Sequence, residues 1–130
     1  SDKTRKLMEG CREWRKSLVA KVGECQICCC SPRFPRTGPR ELSELACHEI
    51  ACGSLRLKAI DKPYAILVLC SYCNCEAVKD SKEWPQSRQL AVLKEKSPER
   101  YDLKAFNFLV NPRAPNRITE REVDQWITKR

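Results

Sequence analysis

The sequence predicts a small α+β domain that is held together by zinc. Three observations support this prediction: ten cysteines occur among 130 residues, they include two CxxC pairs, and helical and strand patterns alternate around them. Without the cysteines, the hydrophobic fraction falls from 42% to about 35%, which is low for a chain that loses roughly 1 to 2 kcal/mol of backbone entropy per ordered residue. A bound metal would supply the missing stabilisation.

The first half of the chain predicts a helix, a loop and a hairpin. Apolar residues recur at spacings of three and four over residues 6–22, and Gly23 follows them. Residues 31–40 contain three prolines and three arginines, which predicts a basic loop. Residues 42–50 and 65–69 have the composition of short strands, and turn signals lie between them, so we expect them to pair.

The second half of the chain is predicted to be helical. Residues 74–80 and 84–96 have helical patterns, and Thr119 with Glu122 forms a capping box before a last apolar stripe. The length suits one domain, residues 1–130, and excludes a multi-domain enzyme.

Charge is distributed unevenly along the chain. The net charge is +8, with ten basic and four acidic groups in residues 1–40, four and six in 41–80, and eleven and seven in 81–130. A basic excess on both sides of a slightly acidic centre suits a cation site bordered by phosphate-binding surface, although solvated helix faces would give a similar count.

Apolar segments are short throughout the sequence. The longest run covers the six residues 65–70, well below the length of a signal peptide core or a membrane span. We therefore expect an intracellular, cytoplasmic protein without membrane contact, in which reduced cysteines bind zinc rather than form disulfides.

The two CxxC pairs, Cys25 with Cys28 and Cys70 with Cys73, predict a structural zinc site. Each pair places two thiolates on one ion, and four sulfurs at about 2.3 Å complete a closed tetrahedral shell. The run Cys28-Cys29-Cys30 leaves open which neighbour binds. Core cysteines and a redox pair are the alternatives, but a thioredoxin-like pair belongs near a βαβ unit, and the sequence does not predict one.

The order of these motifs resembles a known family. A tryptophan-containing helix, a CxxC pair, the strand sequence LACHEI over residues 45–50 and the sequence LCSYCN over residues 69–74 are similar to the zinc-stapled HNH endonucleases of the ββα-metal type, in a phage-like His-Glu-Ile variant. The resemblance covers about residues 12–80. Residues 81–130 form a predicted helical extension outside it.

The resemblance implies roles for the end of the first strand. In the family this strand ends in Asp-His-Ile or His-His-Ile, where the first residue binds a divalent ion and the second is the general base. Aligning on Ile50 makes His48 the metal ligand and Glu49 the base. A carboxylate can accept the proton in place of imidazole. A shift by one residue would instead make Cys47 the ligand and His48 the base.

The resemblance assigns other residues and also shows a departure. The last metal ligand follows the last zinc cysteine, which is Asn74 here, and Arg56 could hold the scissile phosphate. The family's middle asparagine, which orients the catalytic side chain, corresponds to Ala65. Either another group does this work or activity is low. A second zinc site near the same position is a competing possibility, with ligands from the remaining nearby cysteines Cys47, Cys52 and Cys75.

The resemblance therefore implies an endonuclease or nickase that binds double-stranded DNA and hydrolyses phosphodiester bonds with Mg²⁺ or Mn²⁺. The alternative is a non-catalytic zinc module derived from the same fold that binds DNA or a protein. A structural subunit of a larger assembly is a third class. The departure at Ala65 favours the last two, whereas the adjacent His48 and Glu49 favour catalysis.

Overall fold

The computed structural model describes residues 2–36, 38–51, 53 and 55–128. Helices predominate, and the described strands form one two-stranded sheet. The mixture of helices with a small sheet confirms the α+β prediction in its general form. The helices and strands, in chain order, are α1 (Asp2–Val22), β1 (Leu45–Glu49), α2 (Leu55–Ala59), β2 (Ile66–Cys70), a π-helical turn (Cys73–Ala77), α3 (Gln86–Lys96), α4 (Leu103–Val110) and α5 (Glu120–Thr128).

The hairpin predicted between residues 42–50 and 65–69 is confirmed. Strands β1 and β2 pair antiparallel, with His48 opposite Leu67. Strand β1 begins later than predicted because Arg40–Ser43 forms a 3₁₀ turn before it. The connection contains the short helix α2, which the sequence analysis did not predict.

Strand β2 lies between two layers of helices. All five of its residues, Ile66–Cys70, are fully buried, since successive side chains point to opposite faces and both faces are covered. One face packs against Leu18 of α1, and the other packs against Leu90 and Leu93 of α3. The two layers fix the hairpin, and with it the residues at its ends.

Helix α1 delivers the chain to the first cysteine pair. It starts four residues before the predicted helix and ends at Gly23, whose positive φ of 75° and hydrogen bond from its N–H to the Val19 carbonyl (2.9 Å) close the last turn. Only one residue separates this glycine from Cys25, so packing of α1 on the sheet also positions that cysteine.

The predicted helices α3 and α5 form and pack against each other, whereas α4 was not predicted as a separate helix. Helix α3 starts two residues later than expected, after Pro85. The capping box at the start of α5 is confirmed, because the Thr119 hydroxyl accepts the Glu122 N–H and the Glu122 carboxylate accepts the Thr119 N–H, each at 3.2 Å. Lys94 of α3 binds Glu120 of α5 at 2.9 Å. Helix α5 thus holds α3 against the sheet.

Candidate metal centre

The four cysteines of the two CxxC pairs converge at one place. Their sulfurs all lie within 4.8 Å of one another, and Cys28 Sγ is 3.7 Å from Cys70 Sγ. A tetrahedral shell with bonds of about 2.3 Å has ligand-to-ligand edges of about 3.8 Å. The arrangement therefore fits a metal ion such as zinc, and Cys28 is the member of the Cys28-Cys29-Cys30 run that joins the group.

Backbone amides support each pair. The Cys28 N–H donates to Cys25 Sγ at 3.5 Å, and the Cys73 N–H donates to Cys70 Sγ at 3.4 Å. A hydrogen bond from the Cys73 thiol, with further hydrogen bonds from the backbone of Cys28, Cys70 and Ile27, outweighs burial and lowers the pKa of Cys25 to about 4. Donors of this kind stabilise a thiolate, which is the form that binds metal.

The neighbouring cysteines of the run have other positions. Cys29 is exposed and has a positive φ of 67°. Cys30 is buried, and its pKa is raised to about 12, mainly by burial and to a smaller extent by hydrogen bonding with Cys28 and Cys70. Its thiol therefore stays protonated beside the four-sulfur group.

His48 lies on the face of β1 opposite α1 and is bound on both sides. Its Nδ1 is 3.1 Å from Oδ1 of Asn74, the residue after the last cysteine of the group. Its Nε2 is 2.8 Å from Oε1 of Gln89 on α3. Burial lowers the pKa of His48. The Gln89 and Asn74 oxygens, which can both accept hydrogen bonds from the protonated ring, and the charge of Glu49 offset only part of this effect, so the imidazole is neutral at physiological pH.

The carboxylate of Glu49 is directed to the other side of the strand. It lies 3.8 Å from the Arg15 guanidinium on α1, and its side chain is 11% exposed. Arg15 also donates to the backbone carbonyls of Ile60 (3.0 Å) and Cys47 (3.2 Å). The geometry pairs His48 with Asn74 and Glu49 with Arg15. The role of Glu49 as a base stays a prediction.

The remaining predicted residues lie around the same cleft or on the opposite face. Arg56 is exposed on α2, lines the cleft and lowers the pKa of His48 electrostatically, although burial is the main cause. Ala65 is fully buried and has no side-chain amide to place beside His48. Cys47 packs against α1 and its thiol donates to the Arg15 carbonyl at 3.7 Å, away from Asn74. The alternative alignment with Cys47 as the ligand therefore loses support.

A second zinc site receives no support from these residues. Cys75 is exposed on the cleft, Cys47 faces α1, and Cys52 lies outside the described residues. Over 2–36, 38–51, 53 and 55–128, the CxxC cysteines are the one group of three or more His, Cys, Asp or Glu side chains with ligand geometry.

The cleft beside His48 has a volume of about 430 Å³. Its walls include β1, the π-helical turn and the start of α3. A cavity of similar size, about 460 Å³, lies on the other side of β1, where Arg12 and Lys16 of α1 border an apolar floor. Only the first cleft contains His48, Asn74 and Arg56, so it is the candidate reaction site.

Gln89 is the site residue that the sequence analysis missed, since it lies in the helical extension outside the family resemblance. The helical pattern did contain a clue that this residue has a special role. Gln89 precedes Leu93 by one helical turn and therefore lies on the buried stripe of α3, where an amide must find partners. No local pattern indicates that one partner is His48, 41 residues earlier.

No protein-family model, curated protein or solved structure matches this chain. No helix in the described part of the chain has the length and apolar character needed to cross a membrane.

Proposed function

We propose that this chain is an HNH-like endonuclease or nickase of the ββα-metal type, which hydrolyses phosphodiester bonds of double-stranded DNA with Mg²⁺ or Mn²⁺. One observation carries the proposal: His48 Nδ1 and Asn74 Oδ1 approach to 3.1 Å at the cleft, on a hairpin fixed by four clustered cysteines. The order β1, β2, helical turn also agrees with the ββα arrangement.

The distance between His48 and Asn74 suits a shared divalent ion. Neighbouring ligands of an octahedral ion with bonds of about 2.1 Å are about 3.0 Å apart. Neutral imidazole nitrogen and amide oxygen are ligands that Mn²⁺ accepts, and amide oxygen also suits Mg²⁺. A divalent ion in this position would stabilise the negative charge that develops on the phosphate and the leaving oxygen.

The surrounding residues supply the remaining requirements of hydrolysis. Arg56 lies at the cleft, where a guanidinium can bind two phosphate oxygens. Glu49 also lines the cleft and is the proposed proton acceptor for the attacking water. To act, its carboxylate must leave Arg15 and reach the cleft.

Basic and aromatic side chains of the loop after the first cysteine pair support DNA as the partner. The loop after the first cysteine pair presents Phe34, 68% exposed, with the Arg33 guanidinium 5.3 Å from its ring. Arg36 stacks on Tyr72 at 4.1 Å, and Tyr72 precedes Asn74 by two residues. Arginines of this loop can therefore contact a backbone whose phosphate reaches the cleft.

A supercoiled-plasmid nicking assay with Mg²⁺ and with Mn²⁺ tests the proposal. We expect nicking by the wild-type chain and a loss on the order of 100-fold or more in His48→Ala, Asn74→Ala and Glu49→Gln variants. Asn116→Ala, in an exposed turn, is the matched control. Zinc content shows that each variant is folded. Nicking by the His48→Ala and Glu49→Gln variants at the wild-type rate would reject this site.

A non-catalytic zinc module that binds DNA or a protein is the second candidate. Two observations favour it: Ala65 is buried where the family has an asparagine, and the Glu49 carboxylate pairs with Arg15. This candidate predicts duplex binding that weakens steeply as salt rises, with no dependence of DNA cleavage on Mg²⁺ or Mn²⁺. A titration of labelled duplex at two salt concentrations, alongside the nicking assay, distinguishes the two.

A further inference from the structure

The side chain of Gln89 is fixed at both ends in a buried position. Gln89 is 6% exposed. Its Nε2 donates to the Trp84 carbonyl at 2.9 Å, and its Oε1 lies 2.8 Å from His48 Nε2. Because the amide nitrogen must face a carbonyl, the amide oxygen must face the imidazole. The orientation of the amide is therefore determined by its partners.

This orientation determines which nitrogen of His48 carries the hydrogen. An amide oxygen can only accept a hydrogen bond, so the hydrogen lies on Nε2. A neutral imidazole has one N–H, and Nδ1 is left with a lone pair. That lone pair faces Asn74 Oδ1 at 3.1 Å, which is also an acceptor. In this orientation of the Asn74 amide, the two acceptors can bind one cation between them.

We infer that Gln89 is a positioning residue, which holds His48 as the Nε2–H tautomer and presents the Nδ1 lone pair to the cleft. It supplies from α3 the amide that Ala65 of the hairpin lacks. Its part in hydrolysis rests on the proposed function, whereas the tautomer rests on the hydrogen bonds alone. The inference makes α3, outside the region of family resemblance, a necessary part of the site.

The inference also explains a polar residue in an apolar layer. Leu90 and Leu93 on the same helix are fully buried, and a glutamine amide between them costs free energy unless both of its polar atoms are hydrogen-bonded. The Trp84 carbonyl and His48 satisfy one atom each. An apolar residue would pack here without needing partners, so the amide is most simply explained by its contact with His48.

Nitrogen-15 NMR of the side chain tests the inference directly, since His48 is the only histidine of the chain. At pH 8, we expect wild-type His48 to show a protonated Nε2 and an unprotonated Nδ1. A Gln89→Glu variant keeps an acceptor and should keep this tautomer. A Gln89→Met variant has a similar shape without the acceptor and should show a mixture. Lys96→Met, at the exposed C-terminal end of the same helix, is the control.

Metal binding provides a second measurement. Broadening of the His48 signals by Mn²⁺ reports occupancy near Nδ1, and we expect the Mn²⁺ affinity of Gln89→Met to fall about 10- to 100-fold, with Lys96→Met unchanged. A protonated Nδ1 in the wild-type chain, or an unchanged tautomer in Gln89→Met, would overturn the inference. Should the tautomer respond as expected while no variant or wild-type chain nicks DNA, the positioning role holds and the nuclease proposal fails.

Discussion

Removal of the metal from the four-cysteine group should unfold most of the domain. Cys25, Cys70 and Cys73 belong to the same buried cluster as Leu67 and Leu69 of the sheet, so the metal site is part of the main core. The bonds from Cys28 and Cys70 to one ion would join segments 42 residues apart in the chain. Loss of the ion therefore frees the segment after α1 from the end of β2.

The expected size of this effect follows from two magnitudes. A structural zinc ion contributes about 10 kcal/mol or more of folding free energy, and a domain of ordinary size has a net stability of about 5 to 15 kcal/mol. These values are similar, so the chain without zinc should retain little or no stability. The low apolar content of the sequence points in the same direction, because few other contacts can replace the ion.

The assay combines metal analysis with thermal unfolding. We expect about one zinc per wild-type chain and loss of the cooperative unfolding transition after chelation. Cys73→Ser should lose zinc on dialysis, since only three sulfurs remain. Cys75→Ser is the matched control, because Cys75 is an exposed thiol two residues further along the same turn. A wild-type chain that contains no zinc, or melts at the same temperature with and without chelator, would refute the reasoning.

Three further predictions concern the core, a helix cap and pH. Phe106→Ala should lower the free energy of unfolding by about 3 to 5 kcal/mol, because this side chain is 0% exposed. Phe108→Ala should lower it by no more than about 0.5 kcal/mol, because Phe108 is 84% exposed. Denaturant titration measures both losses, and equal losses would contradict the packing. Thr119→Ala should cost about 1 kcal/mol by removing the cap of α5, and an unchanged denaturation midpoint would argue against that cap. Burial lowers the pKa of His48, so the stability contributed by this residue is complete above its unfolded pKa of about 6.5 and is lost as the pH falls through the folded pKa. The difference in free energy of unfolding between wild type and His48→Gln should therefore change over this pH range. A constant difference would contradict the pKa shift.

Local patterns predicted most of the secondary structure. The spacing of three and four in α1 and the capping box of Thr119 each act within a few residues, so the sequence alone specifies them. Short connections were less predictable. Helix α2 and the 3₁₀ turn Arg40–Ser43 have too few residues for a periodic pattern to be recognised, and the turn shortens the predicted first strand.

The candidate site was predictable only where its geometry is local. Each CxxC pair brings two sulfurs together by its own turn, and Asn74 follows Cys73 directly. The contact between His48 and Gln89 depends instead on how α3 docks on the sheet, which no short pattern specifies. The same holds for Arg15 and Glu49, whose side chains meet because α1 crosses the opposite face of β1.

The pairing of Glu49 with Arg15 is weak enough to be broken. Their N–O distance of 3.8 Å is about 1 Å longer than a strong charge-assisted hydrogen bond. Arg15 also binds the Ile60 and Cys47 carbonyls at 3.0 and 3.2 Å, so its guanidinium would keep two partners if the carboxylate left. The choice between nuclease and binding module thus depends on whether the cleft brings a water molecule within reach of this carboxylate. An ion beside His48 and Asn74 would hold such a water and make its proton easier to remove.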